Sequence, residues 1–308
     1  MTFLAPRPGG IYVDGTLGGG GHTEELLRRS APDGVVIGLD RDGAAVERGR
    51  VRLSAYGERA VLRHANFRDL GRVLEETGRR NVDGVLLDLG VSWFHLKEAE
   101  RGFSFMLDGP LDMRMDRTGP ATAADLVNTL TRRELARIIG EYGEEQKAGA
   151  IARAIEKARS RGPLTSTLQL ASIVSAVFPS YLPRRIHPAT RTFQALRMAV
   201  NDEMGSLEEG LQHAHQSLLQ GGRMVVISFH SLEDRMVKQQ FNAWAKGCDC
   251  PPRVPVCICG KRPSVKVLTR KPVSAAPDEI ERNPASRSAK LRAAEKLAVQ
   301  SAPEVPVP

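Results

Sequence analysis

The sequence predicts a mostly parallel, doubly wound α/β sheet that is interrupted by an all-helical insertion. Short apolar strand segments alternate with helical periodicity up to about Arg101, and strand segments return after about residue 220. Between these two parts the periodicity is helical only. A glycine-rich turn joins the first strand to the first helix, as in nucleotide-binding sheets. The 308 residues are enough for two domains, or for one domain with a large insertion.

The first strand, Gly10–Val13, ends in Asp14 and leads into the turn Gly18-Gly19-Gly20-Gly21. Glycine adopts positive φ without penalty and lets the backbone approach a ligand, while the following helix presents the positive end of its dipole. The dinucleotide spacing Gly-x-Gly-x-x-Gly is not met, because Thr23 occupies the third position. A carboxylate at Asp14 would repel a pyrophosphate but could accept a hydrogen bond from a cationic amino-acid group. Both details favour S-adenosylmethionine over a dinucleotide.

Three further strands of this part also end in polar or aromatic residues. Asp40 follows the second strand, where both cofactor families hold a ribose diol. Phe67 follows the third strand, where an aromatic ring either stacks on adenine or belongs to the core. Asp88 ends a nearly continuous apolar fourth strand. Because ligands of parallel sheets bind at the carboxyl ends of the strands, we expect Asp14, Asp40, Phe67 and Asp88 to converge.

The insertion is predicted to be all-helical and to serve substrate recognition. Thr131 and Glu134 have the spacing of a capping box. The predicted helices cover residues 123–128, 132–142, 145–159 and 166–177. The predicted boundaries are 1–104 for the first part of the sheet domain, 105–197 for the insertion, 198–300 for the second part and 301–308 for a proline-rich, disordered tail.

The charge balance favours a polyanionic partner, since 44 Lys and Arg face 36 Asp and Glu. One cationic run surrounds a proline turn, and it either binds phosphates or forms an ordinary solvated face. The run comprises Arg184, Arg185, His187, Arg191 and Arg197. The sequence shows neither a membrane-span-length apolar run nor a signal-peptide core at its start, so we expect a cytoplasmic protein without membrane contact.

The second part of the sheet resumes with a buried strand over residues 224–231. Its end carries Ser228 and His230, and His230 could meet a substrate or be a hydrogen-bonded core histidine. A further strand is predicted over Ser264–Arg270, and the segment Arg287–Leu297 fits either a strand or a helix.

All four cysteines lie within twelve residues, which excludes a disulfide framework for the whole fold. They are Cys248, Cys250, Cys257 and Cys259. Four thiolates could bind zinc, although the usual spacing is Cys-x-x-Cys rather than Cys-x-Cys. Free thiols and a local disulfide remain the alternatives.

Several motifs together resemble one family, the S-adenosylmethionine-dependent methyltransferases that modify the exocyclic N4 amine of a cytosine in bacterial small-subunit ribosomal RNA. The motifs are Asp14–His22, Asp88–Ser92, Glu100–Phe105, Asp112–Asp116, His187–Ala195 and Ser228–Arg235. The resemblance covers nearly the whole chain. It implies a class I methyltransferase (Rossmann-like) sheet and a target cytosine in the decoding region of 16S rRNA, as free RNA or in the assembled small subunit.

The resemblance also implies site residues. The cofactor contacts of the family fall on Gly20, Gly21, His22, Asp40, Phe67 and Asp88, and a further contact falls on His95, where the family commonly has glutamine. Amino methyltransferases place an acceptor for the target amine at the end of the fourth strand, which here is Asp88, with Ser228 and His230 as rivals. Trp93 or Phe94 could hold the target base by stacking.

Other interpretations remain open at the sequence level. A dinucleotide-dependent oxidoreductase could use the same sheet, and a non-catalytic RNA-binding protein could retain the cofactor fold. The sequence also leaves open whether the protein acts as a monomer or a homodimer. Family members usually have a longer segment before the first strand than the ten residues present here, so either the chain starts late or part of the cover of the site is missing.

Overall fold

The computed structural model divides into two compact units. It describes residues 1–179, 186–251 and 259–298. The first unit combines Met1–Gly90 with the chain from Ser206 onward, and the second unit is Val91–Gly205. The second unit therefore starts before and ends after the insertion predicted at 105–197. Val91 and Phe103 account for the earlier start, because both pack into the hydrophobic core of the second unit. The predicted tail lies outside the described residues.

The first unit opens with four strands separated by helices. In chain order these are β1 Ile11–Asp14, α1 Gly21–Arg29, β2 Val35–Asp40, α2 Gly43–Arg52, β3 Ala60–His64, α3 Leu70–Glu76 and β4 Val82–Asp88. The four strands are parallel, with β1 between β2 and β4 and with β3 outside β2. Asp14 pairs with Gly38 of β2 and with Leu86 of β4, so the ends of these strands are adjacent.

The second unit is helical. Its helices are α4 Trp93–Lys97, α5 Ala123–Thr129, α6 Arg132–Gly143, α7 Ala148–Arg159, α8 Thr167–Ser175 and α9 Thr190–Val200. The four helices predicted for the insertion are confirmed within a few residues at their ends. The Thr131–Glu134 capping box is confirmed as well, because the Thr131 side chain accepts from the Glu134 N–H and Glu134 accepts from the Thr131 N–H.

The chain then completes the sheet. The remaining elements are α10 Glu203–Ser217, β5 Leu218–Ser228, α11 Ser231–Ala245, β6 Val265–Val267, β7 Val273–Ser274, α12 Pro277–Arg282 and β8 Lys290–Lys296. The strand order is β3-β2-β1-β4-β5-β8-β6, and β7 also pairs with β8. β5 is parallel to β4, whereas β8 runs antiparallel to both β5 and β6. The mostly parallel α/β sheet is thus confirmed, and the open segment 287–297 contains a strand.

Two details of this part differ from the sequence prediction. β5 begins at Leu218 instead of Met224, because the chain around the glycine pair pairs irregularly with β4 and shifts register between Val82 and Gly84. Gly221 takes a positive φ of 76° there, which glycine tolerates within a strand irregularity. At the other end, the strand stops at Ser228, since His230 caps α11.

The central strands are buried on both faces, which explains their continuous apolar sequences. In β1, Tyr12 packs into one hydrophobic core and its neighbour Val13 into another. The same alternation occurs at Val36 and Ile37 of β2. Two packed faces hold the strand ends in register, and this register sets the positions of the polar residues that follow them. None of the described helices combines the length and the apolar character needed to cross a bilayer.

Candidate active site

The glycine-rich turn is anchored by Asp14, which is fully buried. Its carboxylate accepts the N–H of Thr16 at 3.2 Å and the hydroxyl of Thr23 at 2.7 Å. Asp14 therefore positions the turn and the first helix through these two hydrogen bonds. The sequence had suggested instead that Asp14 would contact the cationic group of a ligand. Thr23, which breaks the dinucleotide spacing, supplies the second of these contacts.

The start of α1 is built for close approach of a ligand. Gly20 precedes the helix in the left-handed conformation (φ 77°), and no side chain caps the helix. A Cβ added to Gly20 would lie 3.3 Å from Cδ of Arg52, whereas a Cβ on Gly21 would meet no atom within 4 Å. The backbone at Gly21 consequently borders open space at the positive end of the helix dipole.

Asp40 lies beside this turn, although 22 residues separate it from Gly18. One carboxylate oxygen accepts the Gly18 N–H at 2.8 Å, and the other accepts the Asp42 N–H at 2.8 Å. A carboxylate at this place, beside the turn and at the end of β2, is of the kind that accepts hydrogen bonds from ribose hydroxyls. The structure thus brings Asp40 to the glycine-rich turn that contains Gly20 and Gly21.

Asp88, at the end of β4, has a raised pKa. Its backbone N–H donates to the Thr16 hydroxyl at 2.7 Å, which ties β4 to the turn. Oδ2 lies 3.7 Å from Nδ1 of His22, while Oδ1 is buried with no hydrogen-bond partner among the residues that the structure describes. Burial, together with the charges of Asp14 and Glu233, raises the pKa of Asp88 to about 6, and His22 opposes this shift.

The unpartnered Oδ1 of Asp88 shows what kind of ligand the site fits. A buried acceptor without a partner costs free energy, and a donor supplied by a ligand removes that cost. The ammonium of S-adenosylmethionine and the exocyclic amine of a nucleobase are both such donors. His22, next to Oδ2, begins the same helix that presents Gly21. The residues present therefore fit a cationic amino-acid nucleoside.

Phe67 sits directly after β3, at the beginning of a short 3-10 helix. A Cβ on Gly210 of α10 would lie 2.3 Å from Cδ2 of the ring, and a Cβ on Gly15 would lie 3.0 Å from Cβ of Phe67. Two glycines therefore make room for this residue between the turn and α10. The ring is half-buried against the core, so one part packs while the rest stays exposed at the strand end.

Ser228 and His230, the rival catalytic candidates, are engaged in structural contacts. The Ser228 side chain is buried, and its hydroxyl donates to the Lys290 carbonyl of β8 at 3.3 Å. His230 caps α11, with Nδ1 accepting the Glu233 N–H at 3.4 Å. Its Nε2 lies 3.0 Å from the Glu233 carboxylate but is buried without a hydrogen-bond partner among the described residues. These contacts favour structural roles over the catalytic roles expected from the sequence.

In the second unit, the His95 side chain is buried. Its Nδ1 accepts the Ser92 N–H at 3.3 Å, completing a capping box, and its ring stacks on Phe103 at 4.9 Å. These contacts favour a capping role over the cofactor contact implied by the resemblance. Trp93, by contrast, is 60% exposed, and the Lys97 ammonium lies 4.0 Å from the centre of its ring.

The cationic run divides into residues with different environments, and Arg184 and Arg185 lie outside the described residues. Arg197 forms a bidentate pair with Glu203 at 2.7 and 2.8 Å, with both side chains largely buried. Its guanidinium therefore binds a carboxylate where the sequence suggested a phosphate. His187 and Arg191 are more accessible and line an open cavity of about 300 Å³.

Sequence reasoning missed three residues that shape the site: Thr16, Thr23 and Glu233. A hydroxyl residue two positions after Asp14 is a typical turn signal that would have identified Thr16. Glu233 stands three residues after His230, the spacing of a capping box with histidine in the cap position. For Thr23 no local signal exists, because its partner lies in the preceding strand.

A parallel sheet with one reversed strand, an uncapped glycine turn and acids at the ends of β2 and β4 together define an S-adenosylmethionine-dependent methyltransferase of class I. The profile of the MraW methylase family matches residues 1–297. The chain belongs to the MraW methylase family, and this membership replaces the oxidoreductase alternative.

Curated relatives align over almost their full lengths. The Ribosomal RNA small subunit methyltransferase H of Geobacter sulfurreducens is 58% identical over 298 residues, which cover 96% of each chain. Proteins of the same name from Syntrophotalea carbinolica and Symbiobacterium thermophilum are 55% and 54% identical, covering 96% of this chain and 95% and 94% of theirs.

Proposed function

We propose that this protein transfers a methyl group from S-adenosylmethionine to the N4 amine of a cytosine in 16S ribosomal RNA, in the decoding region of the small subunit. The observation that carries the proposal is the 58% identity, across 96% of both chains, to a protein named for small-subunit ribosomal RNA methylation. The choice of base and region rests on the motif resemblance. The basic net charge of +8 agrees with an RNA substrate.

The difficulty of the reaction is that the N4 lone pair is delocalised into the cytosine ring. S-adenosylmethionine, when bound, supplies an electrophilic methyl group on a sulfonium. Asp88 contributes an acceptor that can bind the amine N–H, turn the lone pair out of the ring plane and take the proton released when the new N–C bond forms. With a pKa of about 6, this carboxyl is mostly ionised at neutral pH and is therefore a competent acceptor.

His22 and the glycine turn support Asp88. The His22 ring, 3.7 Å from Oδ2, limits where the carboxylate can rotate, so that Oδ1 remains the available acceptor. Thr16 fixes the backbone of Asp88 from the turn. We assign Asp40 to the ribose hydroxyls, Gly20 and Gly21 to close contact with the cofactor, and Phe67 to one face of the adenine.

We assign RNA contacts to the second unit. Trp93 offers an exposed ring of the kind on which unpaired bases stack. Lys147, His187 and Arg191 line one cavity, together with Glu145, which pairs with Arg191. An exposed aromatic ring and, separately, a cavity with cationic side chains suit a polyanion with unstacked bases.

The test is to map N4-methylated cytosine in 16S ribosomal RNA from cells with and without this protein. We expect the modification to disappear on deletion and to return with the wild-type gene, but not with Asp40→Ala or Asp88→Asn. If Asp40→Ala abolishes cofactor binding in vitro yet restores the modification in cells, the protein is a non-catalytic RNA-binding protein. Purified protein supplied with labelled S-adenosylmethionine then separates free RNA from the assembled subunit as substrate.

A further inference from the structure

Three cysteines gather at the neck of the loop between α11 and β6, away from the residues assigned to methyl transfer. The sulfur atoms of Cys248, Cys250 and Cys259 all lie within 4.8 Å of one another. Cys248 and Cys250 lie on the outgoing arm of the loop, and Cys259 lies on the returning arm. The sulfurs of Cys248 and Cys259 are 3.7 Å apart, whereas a disulfide would bring them to about 2.05 Å.

The described stretches of this loop, residues 246–251 and 259–264, are accessible to solvent. None of the described residues in 246–251 and 259–264 is buried, so no apolar core fastens these stretches. At the base, the Ser264 N–H donates to the Trp244 carbonyl at 2.8 Å. Further out, Lys261 pairs with Asp249 at 2.6 Å, but both side chains are solvent-accessible, and such pairs contribute little.

The sulfurs receive backbone hydrogen bonds. The Cys250 N–H points at the Cys248 sulfur at 3.3 Å, and the Asp249 N–H points at the Cys259 sulfur at 3.4 Å. Backbone N–H groups directed at sulfur stabilise the negative charge of metal-bound thiolates and orient them. Lys246 and Lys261 add positive charge to the same loop.

We propose that Cys248, Cys250 and Cys259 bind a structural Zn²⁺ ion that fastens the two arms of this loop. Around a tetrahedral zinc with bonds of about 2.3 Å, sulfurs are separated by about 3.8 Å, close to the 3.7 Å between Cys248 and Cys259. Thiolates select zinc over magnesium or calcium. A tetrahedral ion takes a fourth ligand, and the remaining cysteine of the chain, Cys257, lies outside the described residues.

The arrangement of the three sulfurs explains how Cys-x-Cys pairs can bind zinc, although Cys-x-x-Cys is the usual spacing. The tight Cys-x-Cys pairs are a poor match to a zinc knuckle in which each pair closes one hairpin turn. Here the short sulfur contact joins the two arms, from Cys248 to Cys259, so the pair on one arm does not have to form the site alone. The ion therefore acts as a staple where a core is missing.

The experiment measures metal in the full-length protein, expressed with zinc and purified in reducing, metal-free buffer. Mass spectrometry of the metal content is expected to give about one zinc per chain. The double variant Cys248→Ser/Cys259→Ser should contain at least fivefold less zinc per chain than the wild type. Asp249→Asn, in the same loop, should keep it, because a carboxylate is not among the ligands. After exchange with cobalt, the wild type should show the charge-transfer band of a cobalt–thiolate site.

Circular dichroism and S-adenosylmethionine binding show whether the double variant is folded, since the residues assigned to the cofactor are not part of the loop. Two results would overturn the proposal: wild-type protein with less than a tenth of an equivalent of zinc and no cobalt charge-transfer band, or a folded double variant that retains as much zinc as the wild type. Loss of zinc in Asp249→Asn equal to that of the double variant would also overturn it, since a carboxylate site would then be indicated.

Discussion

Replacing Asp88 by asparagine should stabilise the cofactor-free protein while abolishing most of its activity. The side chain ends β4 with one buried oxygen that has no partner among the described residues, and burial raises its pKa from 3.8 to about 6. An acid with a raised folded-state pKa resists ionisation in the fold. Its negative charge therefore lowers the free energy of unfolding at neutral pH, and the amide removes that cost.

The magnitude follows from the shift of the pKa. One pKa unit corresponds to about 1.4 kcal/mol, so a shift from 3.8 to about 6 corresponds to about 3 kcal/mol above pH 7. Because 32% of the side chain is exposed, solvent screening reduces the expected gain to about 1–2 kcal/mol. The penalty is absent below the unfolded pKa, grows between the unfolded and the folded pKa, and is fully present above the folded pKa. At pH 5 the gain from Asp88→Asn should therefore be about half of that at pH 8.

The assay is urea unfolding of the cofactor-free protein at pH 8 and pH 5, with methyl transfer measured in parallel. Activity should fall by about 10²–10⁴-fold, since an amide accepts a proton poorly. Asp40→Asn, at the end of β2, is the matched control. Its two carboxylate oxygens accept the N–H groups of Gly18 and Asp42, so the same substitution should destabilise by about 1–3 kcal/mol.

The reasoning about Asp88 fails if Asp88→Asn is no more stable than the wild type at pH 8. It also fails if the gain is equal at the two pH values, because a titrating carboxylate would then not be its source. Full activity of Asp88→Asn would refute the role of Asp88 in accepting the amine proton, whatever the stability of the variant.

Further predictions concern the pH dependence set by Asp88 and three residues of the second unit. The wild-type single-turnover rate should fall about tenfold per pH unit below about pH 6, as protonation of Asp88 removes the acceptor; a rate that stays flat down to pH 5 would contradict this. Trp93→Ala should weaken RNA binding by about 1–3 kcal/mol in fluorescence anisotropy, with cofactor affinity unchanged, and equal losses of both would argue against stacking. Arg197→Ala should destabilise by about 3 kcal/mol, because it leaves Glu203 buried and unpaired. The more exposed Arg191→Ala should cost less stability than Arg197→Ala in the same unfolding measurement but reduce RNA affinity; the reverse pattern would contradict the assignment.

The strand ends could be predicted from the sequence because they depend on local periodicity. A parallel strand buried on both faces is apolar throughout, so the first acid after it marks the edge of the sheet, and Asp40 and Asp88 both follow this rule. The helices of the insertion were predictable for the same reason, since their capping residues and apolar spacing are local. The fold class followed from the order of these elements.

The orientation of individual side chains was not predictable, because it depends on partners that lie on other helices or strands. Asp14 binds Thr23 of the next helix, and Arg197 turns to Glu203 at the start of α10. His95 has a motif position that implies a ligand contact, yet Phe103 offers its ring a stacking partner. A sequence pattern gives the residue type at a site, and tertiary packing decides which of its possible partners it meets.

The most direct test of the account is calorimetric titration of S-adenosylmethionine into the purified full-length protein and into Asp40→Ala. The account predicts one binding site per chain in the wild type, affinity lower by about 100-fold in the variant, and no binding of a nicotinamide dinucleotide. Absence of binding to the wild type, or equal affinity in the two proteins, would contradict the claim that Asp40, at the end of β2, holds the methyl donor.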